Sequence, residues 1–449
     1  MKLVKPKTMP GVMELQPLEQ VAFQKMLDTI RSGFERFGFL PIETPVMELV
    51  DILLEKTGGD TERQVYFAQS TGARQQGRDP EHALRFDLTV PLARYVAEHE
   101  RRLLFPFRRY QIQRVYRGES AQKGRYREFY QCDIDIVGKN VLDLHCDGEI
   151  PAVIYHVFRE LNFGQFTIHL NNRKVMQGFF SSLGIDGEEQ TRVLREVDKL
   201  DKRGRGRVME TLAGEGFDLP KDKIERIMEL VEMRPQSCQA CLEYLESLGV
   251  EDETFKQGIH ELKVVIDTIA EAGVPQDYYT INPSIARGLD YYTGTVYETI
   301  LNDHPGIGSI CSGGRYDNLA GYYTKTPLPG VGISIGATRL FYQLMAAGLV
   351  ETNHSSIQVL VTRMDPELSG DYFRLARILR DGGLNTEVYH KDQKLGKQLK
   401  YAGNACIRFA ILRGLDEAHG KTVQIRDLEN SEQFEVAEDE MVEEIKKRL

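Results

Sequence analysis

Nowhere in the 449 residues does an apolar run approach the roughly 20 residues that a membrane span needs. Residues 1–13 carry lysines and two prolines but no continuous apolar stretch followed by a small-residue cleavage site. Secretion and membrane insertion are therefore not expected, and a cytoplasmic location is. Cysteine is scarce: six residues, at 132, 146, 238, 241, 311 and 406, lack the dense spacing of a disulfide framework and predict reduced thiols. Only Cys238 and Cys241 form a CxxC pair, and no second CxxC or HxxxH completes four ligands. No zinc is predicted, and the pair reads as two small core-facing residues at i, i+3 on a helix. Positive charge is also short, with 57 Lys and Arg against 67 Asp and Glu for a net charge of −10. That balance excludes a protein coating nucleic acid unspecifically, because such binding is carried by phosphate neutralisation. Local basic stretches remain at residues 199–207 and 394–400, although a charge run is usually a solvated face. There is no tandem repeat and no low-complexity segment.

What is present is a globular composition, 41% hydrophobic and 28% charged, over a length suited to about three domains. Val21, Leu27, Ile30 and Phe34 recur at helical spacing within residues 19–36, and residues 38–45 read as a strand leaving that helix. From Tyr110 to Gly138 the pattern changes to alternation around Lys123-Gly124-Arg125, the signature of an antiparallel hairpin. Residues 186–272 return to helical periodicity, with Val193, Leu194, Val197 and Leu200, then Ile224, Ile227, Met228, Leu230 and Val231, then Phe255, Ile259, Leu262 and Ile266. Strand-like sequence resumes at Tyr279-Thr-Ile-Asn and continues through Thr295-Val-Tyr-Glu-Thr-Ile300. The sheet domain is thus predicted to be interrupted by a helical insertion. After the polar Glu351-Thr-Asn-His-Ser-Ser356, strands and helices alternate to the C-terminus, a compact α/β module of about a hundred residues.

Three constellations carry chemistry. The densest runs from Arg114-Val-Tyr-Arg117-Gly-Glu119 to Arg125-Tyr-Arg127-Glu-Phe129-Tyr-Gln131-Cys-Asp133-Ile-Asp135-Ile-Val-Gly138. Strand alternation puts Gln131, Asp133 and Asp135 on one face, and Cys132, Ile134 and Ile136 on the other. With Arg117 on the preceding strand, a guanidinium and several carboxylates converge over the sheet, which suits a polyanion plus a small polar molecule. On the residues alone the other reading, the solvent face of an edge hairpin, stays open. The second is Arg287-Gly-Leu-Asp290-Tyr291-Tyr292-Thr-Gly294 with Ser312-Gly-Gly314-Arg315-Tyr316-Asp317, where glycines allow a ligand to approach the chain. The third is Pro329-Gly-Val-Gly332-Ile-Ser-Ile-Gly336-Ala-Thr-Arg339, a strand entering a helix whose first turn carries an arginine able to address an anion. By contrast, Gly414-Leu-Asp-Glu-Ala-His-Gly420-Lys421-Thr422 has one residue too many for a P-loop and precedes a strand, so it reads as a hairpin turn.

Taken together these residues resemble the class II aminoacyl-tRNA synthetases and, among them, the histidyl-tRNA synthetase family, over nearly the whole chain. Residues 38–45 look like the dimer-forming motif 1, residues 114–138 like motif 2 and residues 330–340 like motif 3, while Arg287-Gly-Leu-Asp-Tyr-Tyr and Gly313-Gly-Arg-Tyr-Asp resemble the two histidine-specific signatures. The resemblance implies an α/β (α+β) fold: a six- or seven-stranded antiparallel sheet flanked by helices, with a helical insertion and a C-terminal α/β anticodon-binding domain. The implied boundaries are residues 1–180 and 276–350 for the two parts of the catalytic domain, 181–275 for the insertion and 354–449 for the anticodon-binding domain.

It also implies an ATP-dependent ligation of L-histidine to tRNA(His) by a homodimer, with Mg2+ on the ATP and no dedicated protein metal site. Arg117 and Arg339 would hold the α- and γ-phosphate ends of ATP, with Glu119 beside them and Phe129 on the adenine. Asp87, Thr89 and Gln131 would hold the histidine amino group. Asp135, Tyr292 and Tyr316 would hold the imidazole, and Arg287 would bridge the histidine carboxylate and the α-phosphate, so that Arg287 and Arg117 carry the catalysis. Gln122, Lys123, Arg125, Lys397 and Lys400 are the expected tRNA contacts. Asp133 shares the face of Asp135 but lies outside the carried-over set, and is expected to matter less for histidine. The family's motif 3 usually has Glu-Arg where this chain has Thr338-Arg339, and Asp87 is a shorter acid than the Glu of many relatives. The main rival is a histidine-binding regulatory paralogue from a histidine-biosynthetic phosphoribosyltransferase. Such proteins lack the C-terminal module that this chain has. A kinase's tRNA-sensing domain is disfavoured by the absence of kinase motifs.

Overall fold

Eight strands build the larger sheet: β1 Leu40–Pro41, β2 Phe107–Tyr116, β3 Glu128–Val137, β4 Phe166–Asn172, β5 Tyr279–Ile281, β6 Thr295–Leu301, β7 Cys311–Tyr316 and β8 Gly330–Ile335. They belong to a computed structural model that describes residues 3–54, 64–119, 124–197, 199–214, 216–285 and 291–449. Their spatial order is β1-β2-β3-β8-β7-β6-β4-β5. Two pairings, β1 with β2 and β4 with β5, are parallel, and the rest are antiparallel. The expected antiparallel sheet of six or seven strands is present, and two very short edge strands join it by parallel pairing. Such brevity leaves little unpaired backbone to recruit another strand.

The hairpin β2–β3 pairs Tyr116 with Glu128 and Phe107 with Val137. β3 is an interior strand, because β8 pairs along its other edge. Cys132, Ile134 and Ile136 have no exposed surface, and Gln131, Asp133 and Asp135 on the opposite face are buried as well. The open reading of a solvent-facing edge hairpin is therefore excluded: the polar face is enclosed.

The apolar side is covered by the helix His145–Leu161, whose Ile150, Val153, Val157 and Phe158 are fully buried. The strand β7 is tied to that helix through Arg315, which donates from Nη2 to Asp147 Oδ1 at 2.8 Å and from Nε at 3.1 Å. Thr295 adds a hydroxyl to Asp147 Oδ2 at 2.8 Å. Between Asn172 and β5 the chain is helical, including Glu188–Val197, Lys221–Glu232, Cys238–Ser247 and Glu253–Glu271. Cys238 and Cys241 are buried on the first turn of Cys238–Ser247, which Ser237 caps by accepting the Ala240 N–H at 3.1 Å. A small sheet of Met47–Leu49, His82–Leu84 and Tyr66–Ala68 leads through its middle strand to Asp87 and the helix Thr89–His99.

The chain separates into two compact units, residues 1–14 with 26–349, and 15–25 with 350–449. In the second, a five-stranded sheet runs in the order Thr386–Val388, Val359–Val361, Phe409–Leu412, Thr422–Asp427, Glu432–Ala437. Tyr372, Leu375, Leu379, Met441 and Ile445 of two helices fill its core with Val359, Phe409 and Ile425. The segment expected as a hairpin turn is instead a short helix, Leu415–Gly420. Its start is fixed by the Glu417 carboxylate, which accepts the Gly414 N–H at 2.8 Å, so a Gly-x-x-Glu cap outweighs the glycine turn signal.

Candidate active site

The registers of three neighbouring strands set the geometry of the enclosed polar face. Arg109 lies opposite Asp135 and Asp135 opposite Gly332; Gln111 lies opposite Asp133 and Asp133 opposite Ser334. A cavity of about 170 Å3 opens over these rows. Asp87, Thr89, Arg117, Gln131, Asp135, Tyr292 and Tyr316, all expected from the sequence, line it, together with Asp133, Tyr291, Ser312, Gly332, Ile333 and Ser334.

Asp135 is held on both oxygens. The fully buried Arg109 places Nη2 2.5 Å from Oδ2, and the Tyr316 hydroxyl donates to Oδ1 at 2.7 Å. The approach needs missing side chains: a β-carbon on Gly332 would lie 2.3 Å from Asp135 Oδ1, and one on Gly330 would lie 2.4 Å from the Tyr316 ring. Tyr291 packs edge-on against Tyr292 and Tyr316, at centroid distances of 4.8 and 6.0 Å, and hydrogen-bonds to Thr89. Burial holds the Tyr291, Tyr292 and Tyr316 phenols far above their ordinary range, so they act as neutral donors.

The acids of the cavity are strongly perturbed. Burial lifts the Asp135 carboxyl to about 6, against the pull of Arg109 and Tyr316. It lifts Asp87 to about 6, opposed by the Val90 N–H and by Arg117. Asp133 goes furthest, to about 7, with Arg109 and the Ser334 hydroxyl opposing burial and the charges of Asp135 and Asp87 adding to it. Several perturbed buried acids gathered in one cleft mark it as a functional-site candidate.

On the arginine side, Arg117 Nε donates to the Phe86 carbonyl at 3.0 Å, with its guanidinium 5.2 Å from the Phe129 ring centre. Glu119 lies near Arg125, at 3.4 Å. Arg339 sits in the first turn of the helix Ala337–Ala346, and its Nη2 donates to the Ile307 carbonyl at 2.6 Å. Thr338, the departure from the Glu-Arg pattern, accepts the Tyr130 N–H at 2.8 Å and so fastens the start of this helix to β3. Lys397 and Lys400 are exposed on the helix Leu395–Asn404 of the second unit, and Arg125 is exposed in the first. Arg287, Gln122 and Lys123 lie outside the described residues. Among the described residues no group of three or more His, Cys, Asp or Glu is placed to hold a metal ion.

Sequence reasoning passes over Arg109, Gln111 and Ser334. In the observed register Arg109 stands beside Asp135, since cross-strand neighbours share a face, whereas a turn centred on Gly124 would have set Gln113 there. Arg85 is missed as well. It is buried and links three segments by donating to Thr44 O at 2.7 Å, Gln113 Oε1 at 2.8 Å and Arg114 O at 2.9 Å.

Residues 11–340 match the family described as histidyl-tRNA synthetase, and residues 358–448 match one described as anticodon binding domain. The chain is 57% identical over 448 residues to histidine–tRNA ligase of Stenotrophomonas maltophilia, covering 97% of each. It is 56% identical over 453 residues to that of Xylella fastidiosa, covering 98% of this chain and 97% of the relative. Among solved structures, histidyl-tRNA synthetase from a Nostoc species superposes with a TM-score of 0.90 at 40% identity, over 100% of both chains. A Bacillus halodurans protein described as an ATP phosphoribosyltransferase regulatory subunit/histidyl-tRNA synthetase shares the fold at a TM-score of 0.74 and 20% identity, over 89% of this chain and 97% of that one.

Proposed function

Because the chain belongs to the histidyl-tRNA synthetase family and is an enzyme that ligates histidine to tRNA, we propose that the cavity over β3 is where it activates histidine with ATP. In the first half-reaction a histidine carboxylate oxygen attacks the α-phosphorus of ATP, the bond to the bridging oxygen breaks and diphosphate leaves. In the second, a terminal ribose hydroxyl of the tRNA attacks the activated carbonyl and AMP leaves. Two anions must meet in the first step, and preorganised cations in a site shielded from water lower that barrier most effectively. Arg117 is the described arginine lining the cavity, and we assign it to the α-phosphate, with Arg287 bridging it to the histidine carboxylate. Arg339 with Glu119 is assigned to the far end of the ATP phosphates and Phe129 to the adenine. Magnesium would arrive on the phosphates and neutralise them there.

The observation that carries the reading is the state of Asp135. Its carboxylate is pinned by Arg109 and Tyr316 yet still faces the cavity, and a carboxylate has lone pairs for a further donor. With Tyr292 and Tyr316 it forms the imidazole end, while Asp87, Thr89 and Gln131 form the amino end. An aliphatic or simple aromatic side chain would leave Asp135 without its donor, which rejects the wrong amino acid by a factor of about 10⁴ or more without an editing site. The experiment is histidine-dependent exchange of labelled diphosphate into ATP. Exchange driven equally by another amino acid, or by none, overturns the assignment.

We also propose a cytoplasmic homodimer that takes tRNA(His), reading the tRNA through the second unit and through residues 122–125. The side chains of Leu40, Met47 and Leu49 around the first strand are 55–65% exposed, which suits a surface covered by a second copy. The regulatory paralogue is set aside because the fold likeness at 20% identity says nothing of function, whereas relatives at 57% identity are ligases and residues 358–448 match an anticodon-binding family.

A further inference from the structure

Three acceptor atoms have no hydrogen-bond partner among the described residues and belong to side chains that line the cavity: Asp87 Oδ2, Gln131 Oε1 and Asp133 Oδ1. The residues are 3%, 8% and 2% exposed, and a buried acceptor left without a donor carries a desolvation cost that a matched ligand would relieve. Their other polar atoms are occupied. Asp87 Oδ1 accepts the Val90 N–H at 3.1 Å, and Gln131 Nε2 donates to Ser334 Oγ at 2.7 Å, leaving the Ser334 hydrogen for Asp133. Gln131 and Asp133 stand two residues apart on one face of β3, and Asp87 is close enough for its charge to act on Asp133.

The charges around Asp133 do not balance. Asp87, Asp133 and Asp135 converge on the cavity, and the facing cation Arg109 is engaged with Asp135 and with Gln111. Arg117 is held to the Phe86 carbonyl. A ligand matched to this corner must bring one positive charge and several N–H donors within a small radius. A primary ammonium has three donors and no acceptor, whereas a neutral imidazole offers a single N–H.

We infer that Asp133 is a specificity-determining ligand for the α-ammonium of histidine, joining Asp87, Thr89 and Gln131 at the amino end and offering with Asp87 and Gln131 unpartnered acceptors for its N–H donors. This rests on reading the cavity as the histidine pocket, and it moves Asp133 from the margin of that pocket into its binding set. The carboxylate of Asp133 supplies the charge that Gln131 lacks, and Ser334 fixes its rotamer from the neighbouring strand. The consequence is a pocket that demands the ammonium as strictly as the imidazole.

Three ligands separate the possibilities: histidine, histamine, which keeps the ammonium and loses the carboxylate, and 3-(imidazol-4-yl)propanoate, which lacks the ammonium. Dissociation constants come from calorimetry, and histidine and ATP KM from diphosphate exchange, on the full-length protein. Asp133→Asn is expected to weaken histidine and histamine by a factor on the order of 10², because it removes one partner of a buried charge contact. The propanoate should stay within about twofold, since its contacts are elsewhere, and the ATP KM should not move. Asp135→Ala is expected to weaken all three ligands. Equal losses for all three with Asp133→Asn, or unchanged histidine and histamine, overturn the inference. If Asp133→Asn does not give a cooperative melt, Asp133→Glu, which keeps the charge and displaces it, is read by the same ammonium-dependent pattern. Failure of the underlying reading looks different: the wild-type protein would then show no histidine-dependent exchange at all.

Discussion

Gly332 faces Asp135 across β8 and β3, and the space of its absent side chain is taken by the Asp135 carboxylate, 2.3 Å from where a β-carbon would stand. The same β-carbon would lie 2.3 Å from the Ile134 carbonyl, so neither a rotamer change nor a side-chain shift relieves the contact. Gly332→Ala is therefore expected to push the two strands apart locally and to disturb the grip of Arg109 and Tyr316 on Asp135. Histidine KM should rise by about tenfold or more, since misplacing a binding group by about 1 Å is costly. Diphosphate exchange measures it, and an unchanged histidine KM would show that β8 yields without moving Asp135.

Arg109 and Asp135 form a buried pair in which each charge depends on the other. Removing one partner of such a pair costs about 3–5 kcal/mol, because the remaining charge stays out of water without compensation. Arg109→Met should lower the stability of the first unit by that order, seen as an earlier urea midpoint. It should also drive the Asp135 carboxyl further up, weakening histidine near neutral pH. Arg109→Met with wild-type stability and histidine affinity would refute the role given to this pair.

Asp133 gives a pH dependence whose sign is fixed by its surroundings. Burial, with the charges of Asp135 and Asp87 added, lifts its carboxyl to about 7, so the folded protein binds that proton more tightly than the unfolded chain, where aspartate titrates near about 4. Ionised Asp133 thus lowers the stability of the ligand-free protein above pH 7, and the loss fades as the pH falls through about 7 toward about 4. Asp133→Asn is expected to melt a few degrees above wild type at pH 8, with the gap narrowing by pH 5. Calorimetric scans at both pH values decide it, and a gap that grows on acidification contradicts the assignment.

Lys397 and Lys400 are exposed one turn apart on the helix Leu395–Asn404. If both meet phosphates, replacing them by alanine should weaken tRNA(His) binding and flatten the dependence of log affinity on log salt by about 1.5, at about 0.7–0.9 for each phosphate no longer neutralised. Filter binding at several salt concentrations tests this, and an unaltered slope removes these two lysines from the tRNA surface.

The polar face of β3 is legible in the sequence because alternation is a local property, and Gln131, Asp133 and Asp135 announce it. That the face is enclosed is not legible there. Burial comes from β8, whose Gly330–Ile335 pairs with a strand nearly two hundred residues upstream, and no local period encodes such a partner. Arg109 escapes for a related reason: its neighbours Arg108 and Tyr110 read as ordinary strand residues until the register sets it against Asp135. The two edge strands, Leu40–Pro41 and Tyr279–Ile281, fall within stretches that read as strands, but their parallel pairing depends on distant partners and is not legible there. The helix Leu415–Gly420 is hidden by its own glycines, although Glu417 three residues after Gly414 marks its start. Asp133, which the resemblance places below Asp135, gains its weight only from an unpartnered oxygen, which a sequence cannot display.

Arg315 and Asp147 meet behind the sheet, on the side away from the cavity, one residue from Tyr316. A buried pair of this kind is worth little against a well-packed apolar replacement but is costly to break from either side. Neither position can be exchanged first without passing through a weakened protein, so the two are locked in step by the order in which mutations arrive. Drift at 147 or 315 would require both changes in one lineage before selection removes the intermediate. The tyrosine that touches Asp135 thereby inherits a fixed neighbour, and its placement is guarded by a constraint that histidine itself never contacts.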